Sequence, residues 1–324
     1  MIRRIAFLLV LLTVATALSA SQFTTEMDKL WKNAASGAVK GQNGYWFLKS
    51  ELHFLAQTGF WGANAAKASA AKAELADPLP AIVDFNEQLK KKNIELILMP
   101  VPAKAAIYPE LLTGVKTSAN ARADKACQDF YALLKSKGVR VIDLAPAFIA
   151  AKPHGDLYLK TDSHWAPGGM NAAAGAVLSA VKGEAWYKAA AKTSFAGSAK
   201  TIEISGDMRT MNKAVPKESV RITSCQKAVS ASSPVLLMGD SHTLVFHSGG
   251  DMLAVNAGFA EALAARLKMP VDLLGVKGSG STSVRVSLMR KPDTLKGKKV
   301  VIWCFAAREF TESAQGWAKV PVVK

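Results

Sequence analysis

Short apolar runs bounded by turn residues recur along the chain, and between them apolar positions return at helical spacing. The runs are Ile94–Pro100 (IELILMP), Val139–Leu144 (VRVIDL), Val235–Met238 after Pro234, Val271–Val276 and Lys299–Phe305 (KVVIWCF). Runs of this length with little polar alternation predict strands buried on both faces. Helical spacing covers Pro78–Lys92, with Ile82, Val83, Phe85 and Leu89 along one side. It returns over Asn120–Gly138 with its glycine stop, Met170–Val181, Gly258–Leu267 and Val284–Met289. Strand, helix, strand at this rhythm predicts an α/β fold whose central parallel sheet carries helices on its faces.

Other stretches depart from that rhythm. Ser21–Ala35 predicts a helix, Gly41–Leu55 a turn leading into a core hairpin, and Asn64–Leu75, rich in alanine and lysine, another helix. Residues 183–233 hold short β-like runs (Thr201–Ile204, Val220–Thr223) and predict a small β-rich insertion or cap. The ordered core is expected to end at Ala306–Phe310 (AAREF). Residues 1–20 pair Arg3 and Arg4 with an apolar run, Ile5–Leu18, and then small residues. This is the pattern of a secretory signal, too short for a comfortable membrane span. With Leu18 at −3 to a cut after Ala20, an uncleaved N-terminal anchor is the alternative. Residues 21–324 then form one domain, exported to the periplasm.

Charge and cysteines narrow the picture. The chain carries a net charge of +16; Arg3 and Arg4 contribute two of these, so residues 21–324 carry +14. A basic exported protein suits an anionic polymer or membrane surface, or simply has a solvated basic surface. No long basic run, zinc-finger spacing or RNA-binding signature points to nucleic acid. Three cysteines, Cys127, Cys225 and Cys304, allow one bridge at most, and Cys304 lies in an apolar run. No His-rich or Cys-x-x-Cys spacing marks a metal site, and no cofactor motif stands out.

The candidate chemistry gathers where strands end. Ligands of an open parallel sheet collect outside the carboxyl ends of its strands. That rim would carry Ser241 after Val235–Gly239, with Asp240 or Ser241 capping a helix expected near His242. It would also carry the glycine-rich loop Gly278–Ser283 and Arg308 after the next two strands. Asp162 and His164 belong to the loop following Val139–Leu144. A serine hydroxyl becomes nucleophilic when a neutral histidine takes its proton, a carboxylate orients that histidine, and N–H donors hold the oxyanion. Asp162, His164 and Ser241 supply those parts. His242 is a rival base, while Asp240 reads as a turn-fixing acceptor. Arg308 stands between a site role and an ion pair with an acid such as Glu309. Tyr45, Trp46 and Phe47 read as core, and Lys104 and Tyr108 as loop or cleft residues. His53, His154 and His247 have no partner pattern.

Four segments carry a resemblance. TDSHWAPGGMNAAA (Thr161–Ala174), NGYWFLKSELHFL (Asn43–Leu55), VPAKAAIYPELL (Val101–Leu112) and MGDSHT (Met238–Thr243) are similar, in order, to the motif blocks of the alginate-type polysaccharide O-acetyltransferases (the AlgJ/AlgX group). The resemblance implies an SGNH-hydrolase-like (flavodoxin-like) three-layer fold with circularly permuted motif order, since the acid and base precede the Gly-Asp-Ser block. With little chain after AAREF, the likeness is to the single-domain AlgJ type. It also implies Ser241 as nucleophile, His164 as base and Asp162 as its orienter. Gly280 is the first choice of loop oxyanion donor and Gly278 the second. No asparagine stands in AAREF, so Arg308 takes that neighbourhood as an oxyanion or substrate contact.

The implied activity is O-acetylation of an exported, acidic, alginate-like exopolysaccharide through an acetyl-serine. A membrane-bound acyltransferase would deliver the acetyl group, among other exopolysaccharide secretion proteins as partners. The same side chains would serve a carbohydrate acetyl-esterase. A basic, non-catalytic polysaccharide-binding scaffold is the third reading.

Overall fold

In a computed structural model the described residues are 20–112, 115 and 122–323. The expected signal or anchor lies outside them, as do the first residues of the helix predicted from Asn120. Among the described residues the strands are β1 (Ala38–Lys40), β2 (Trp46–Leu48), β3 (Glu95–Val101), β4 (Arg140–Val141), β5 (Ser198–Ile204), β6 (Glu218–Ser224), β7 (Val235–Gly239), β8 (Asp272–Gly275) and β9 (Val300–Ala306). Five of them form one sheet in the order β4-β3-β9-β7-β8, all parallel. This is the parallel α/β sheet expected from the apolar runs.

β9 is its spine. It pairs with β3 over seven residues, Glu95↔Val300 to Val101↔Ala306, and with β7 from Val235↔Val300 to Gly239↔Cys304. All seven of its residues are buried, which is why KVVIWCF has no polar alternation. The helix Pro78–Lys90 starts where expected because the Asp77 carboxylate accepts the Leu79 N–H at 3.0 Å and Pro78 tolerates the missing donor. At the end of β7, a Cβ on Gly239 would sit 1.6 Å from the Cys304 carbonyl oxygen. Only glycine lets β7 close against β9 there, one residue before Asp240.

Several expectations change. Asn64–Leu75 is not one helix: only Ala65–Ala68 is α-helical, flanked by 3-10 turns. A short alanine–lysine stretch has too little apolar face to offset helix nucleation. The helix expected at His242 is a single 3-10 turn, Ser241–Thr243. The strand Val139–Leu144 shrinks to Arg140–Val141, and the helix Ala145–Ala151 intervenes before Asp162. The core does not stop at AAREF. Trp317, Val320 and Val322 are buried, and Trp317 packs on Phe310 and Trp303 with its indole N–H donated to the Glu309 carbonyl. Isolated apolar residues without a period gave no pattern to read there. All three cysteines are free and buried.

The β-rich insertion is present as the antiparallel pair β5–β6 (Ser198↔Ser224 to Ile204↔Glu218). Among the described residues no helix is long and apolar enough to cross a membrane.

Candidate active site

The loop that holds Asp162 and His164 is closed on itself. Tyr158 and Trp165 bridge, the Leu159 N–H donates to the His164 carbonyl at 3.1 Å, and the Ala166 N–H donates to Leu157 at 2.9 Å. Three neighbours then fix it. Trp46 of β2 donates its N–H to the Lys160 carbonyl. The Glu218 carboxylate, at the start of β6, accepts the N–H groups of Lys160 and Thr161 at 3.1 and 2.8 Å. The third is Lys104, fully buried, whose ammonium donates to the carbonyls of Trp46, Leu159 and Asp162 at 2.9, 2.7 and 2.6 Å. Burial lowers the Lys104 pKa to about 8, against the pull of Glu51 and other acids. Three charge-assisted bonds, two to the loop and one to β2, give Lys104 in the VPAKAAIYPELL segment a structural task, and it does not line the cleft.

On this support the side chains form a hydrogen-bonded chain. His164 Nε2 lies 2.7 Å from Ser241 Oγ, and His164 Nδ1 lies 2.6 Å from Asp162 Oδ1. Asp162 Oδ1 also accepts the His164 N–H at 2.9 Å, and Oδ2 accepts the Asp207 N–H at 2.7 Å. Burial by itself would raise the Asp162 pKa. The adjoining imidazole and these bonds outweigh it and hold the carboxyl well below the usual range. For His164, burial disfavours the charged form, but the Asp162 carboxylate more than offsets that and raises its pKa above the ordinary histidine value.

Asp207 is the residue that sequence reasoning missed. It lies in the insertion, accepts the Ser163 N–H at 2.8 Å and the Ser163 hydroxyl, and stands 3.9 Å from His164 Nδ1. Gly206 makes this possible: a Cβ there would lie 2.1 Å from the Thr161 carbonyl oxygen. The only signal in the sequence was a Gly-Asp pair inside a weakly patterned segment. Asp162, His164 and Asp207 offer atoms within 4.8 Å of one another, as a metal site would. The two carboxylates accept backbone N–H groups, the imidazole and the Ser163 hydroxyl, and this arrangement orients the histidine.

The remaining candidates separate. Asp240 fixes the turn, as expected: Oδ1 accepts the His242 N–H at 2.9 Å and Oδ2 accepts the Ala306 N–H at 2.8 Å. Burial opposes its ionisation, yet the His242 ring and these bonds bring its pKa to about 2. His242 does not meet the Ser241 hydroxyl. Its Nδ1 is buried 3.3 Å from Asp240 Oδ1 without a hydrogen bond, and its ring packs 4.9 Å from that of His164. Burial lowers its pKa and keeps it neutral. Tyr45, Trp46 and Phe47 are core, and Tyr108 is buried with its hydroxyl accepting the Leu157 N–H. His53 and His247 pair with Glu312 and Glu261.

The first choice of oxyanion donor is corrected. The Gly280 N–H is donated to Glu309 Oε2 at 3.1 Å, and its carbonyl accepts the Trp303 indole N–H at 2.7 Å, so its peptide is clamped on both sides. Gly278 lines the cleft instead. Arg308 is half-buried and donates to Glu51 Oε1 at 3.2 Å; its ion pair is with Glu51, not Glu309. Glu309 is left facing Gly280, and burial raises its pKa to about 7.

Ser241 and His164 open into a cavity of about 700 Å³. The insertion supplies one wall (Glu203–Asp207, Arg209, Lys213), and Asp251 and Lys277 face it across the gap. Three acids thus oppose three cations. The charge of the chain is not concentrated in its cleft.

Comparison with known proteins bears on the family and the fold. Residues 41–307 match the family model described as the SGNH hydrolase-like domain, acetyltransferase AlgX. The probable alginate O-acetylase AlgJ of Pseudomonas syringae pv. tomato is 27% identical over 292 residues, covering 86% of this chain and 71% of that protein. Its Pseudomonas aeruginosa namesake is 28% identical over 145 residues, covering 45% of this chain and 33% of that protein. Among solved structures, the O-acetyltransferase domain of Pseudomonas putida AlgJ superposes with a TM-score of 0.64 at 24% identity, covering 85% of this chain and 92% of that one. Pseudomonas aeruginosa AlgX gives 0.63 at 18% identity, covering 90% of this chain and 66% of that one. Those two likenesses bear on the fold, and the family match bears on the chain. A serine at the end of β7 and an Asp-x-His loop laid down before it sit on a permuted SGNH-like sheet, and the chain belongs to the AlgX-type SGNH hydrolase-like acetyltransferase family.

Proposed function

We propose that the protein transfers acetyl groups to hydroxyls of an exported, alginate-like exopolysaccharide, with Ser241 as nucleophile, His164 as general base and Asp162 as its orienter. The 2.7 Å contact between His164 Nε2 and Ser241 Oγ carries this reading. Ser241 Oγ attacks the carbonyl carbon of a donor acetyl ester while His164 Nε2 takes its proton. The tetrahedral oxyanion is held by the Ser241 and Gly278 N–H groups. It collapses to acetyl-Ser241, and the proton on His164 passes to the leaving alkoxide. An acceptor hydroxyl then gives its proton to His164 and attacks the acetyl carbon, and Ser241 Oγ leaves and regains the proton. Asp162 holds Nδ1–H throughout and stabilises the imidazolium.

The acceptor class follows the name of the AlgJ relatives, probable alginate O-acetylases. Lys213, with no ion pair among the described residues, and Arg209 give the insertion wall the cations an acidic sugar would meet. The periplasmic location, the membrane-bound acetyl donor and the secretion partners belong to this same reading, as does the cleavable or anchoring segment at residues 1–20. The test is to incubate the protein with an activated acetyl ester and an oligouronate. Acetylated oligosaccharide, rising with acceptor at the expense of free acetate, is the expected result. Acetate release with no acetylated sugar at any acceptor concentration would make the protein an esterase.

A further inference from the structure

Six exposed lysines stand at the opposite edge of the sheet. Each connection from a helix into β3, β4, β8 or β9 ends at the amino edge, because all five strands are parallel. Lys91 and Lys92 precede β3, Lys137 precedes β4, Lys268 precedes β8, and Lys296 and Lys299 precede β9. All six are exposed, and none makes an ion pair among the described residues.

The acids nearby are already spent. Glu87 pairs with Lys90 at 2.9 Å, Glu95 and Glu184 with Arg140 at 2.5 and 3.1 Å, and Asp272 with Lys298 at 2.8 Å. Asp293 is the one acid within the four connections. Strands spaced about 4.8 Å apart spread these lysines over roughly 20 Å. A cation in the last turn of a helix suffices to meet its dipole. These six lie past the helix ends, where that role is weak.

Beneath Lys92, Lys296 and Lys299 is a cavity of about 640 Å³ whose floor includes Ile94, Met289 and Val322. No aromatic side chain lines it, so it offers no stacking platform for a sugar ring. A broad lysine row above an aliphatic floor has the layering of a headgroup region, with phosphate outside and apolar surface within.

We propose that this amino edge is a docking surface for a bilayer rich in anionic phospholipid. Bound this way, the sheet stands with its carboxyl edge, and Ser241, turned away from the membrane. The strand length of β9, about 3.3 Å per residue, separates the two edges by roughly 20 Å.

The test is co-sedimentation of the full chain with vesicles of neutral phosphatidylcholine or of phosphatidylcholine with phosphatidylglycerol, so that any N-terminal anchoring counts equally in both. The first variant joins Lys91→Gln, Lys92→Gln, Lys296→Gln and Lys299→Gln. The second removes the same charge elsewhere, by Lys67→Gln, Lys72→Gln, Lys200→Gln and Lys227→Gln. A lysine near an anionic leaflet adds roughly fivefold in affinity, so the first variant, which loses four, should lose about 600-fold on the anionic vesicles and nothing on the neutral ones. The second should lose less than about threefold, both should melt with the parent, and salt near 0.5 M should abolish the difference. Equal losses in the two variants, or equal binding of the parent to both vesicles, would overturn the proposal. So would unchanged vesicle binding by the first variant together with lost retention on an acidic polysaccharide.

Discussion

The two edges of the sheet treat charge in opposite ways. At the carboxyl edge, Asp162, Asp240, Glu51 and Lys104 are buried and Arg308 is half-buried, and every one is tied to named partners. At the amino edge, exposed lysines stand without counterions. A buried charge costs several kcal/mol to desolvate and persists only when its hydrogen bonds are complete. An exposed one is individually cheap and is screened within about 10 Å. The carboxyl edge therefore resists change residue by residue, whereas the amino edge can act only as a sum. Substitutions should separate the edges by the size and the kind of their effects.

The largest effect is expected at the hydrogen-bonded chain. Ser241→Ala or His164→Ala should lower ester turnover by about 10⁴-fold or more with the fold intact, and Asp162→Asn by about 10³- to 10⁴-fold through loss of the imidazole's orientation. Steady-state turnover of an activated acetyl ester, alongside thermal melting, measures both.

The pH profile sharpens this. His164 must be neutral to act as base, and its pKa is raised, so kcat/KM should climb with pH through an apparent value above about 6.5 and then level off. In Asp162→Asn the rise should move to lower pH, because the carboxylate that favours the imidazolium is gone. The same raised pKa gives stability that is full below the unfolded histidine value and is lost as pH rises through the folded one. The depressed Asp162 pKa gives stability that is lost as pH falls below the usual carboxylate range.

Next comes the support. Lys104→Met would strand the carbonyls of Trp46, Leu159 and Asp162, and should cost about 3 kcal/mol or more in urea unfolding. Gly206→Ala is expected to be milder in stability but to cost about tenfold or more in kcat, since its Cβ meets the Thr161 carbonyl beside Asp162. Smallest of all, Lys92→Gln or Lys296→Gln should change stability by less than about 0.5 kcal/mol and leave ester turnover unchanged.

Legibility followed the same division. The strands β3, β7 and β9 could be read because burial on both faces leaves an apolar run, and Asp162, His164 and Ser241 because a few residue types at strand ends satisfy one chemistry. What holds them was not legible. Lys104, Glu218 and Asp207 act on backbone groups far away in sequence, and such bonds leave no local pattern. The place of Gly280 in its loop suggests a donor, and only the distant Glu309 shows that its N–H is taken. Trp317 and Val320 lie in a segment with no period, although the core closes over them.

The central claim is that Ser241 carries the acetyl group between donor and sugar. It is tested most directly by intact-protein and peptide mass spectrometry after brief exposure to an activated acetyl ester without acceptor. One added acetyl group is expected on the peptide containing Ser241, absent in Ser241→Ala and discharged when oligouronate is added. A folded, ester-cleaving sample that never acquires this adduct, or acquires it equally in Ser241→Ala, would contradict it.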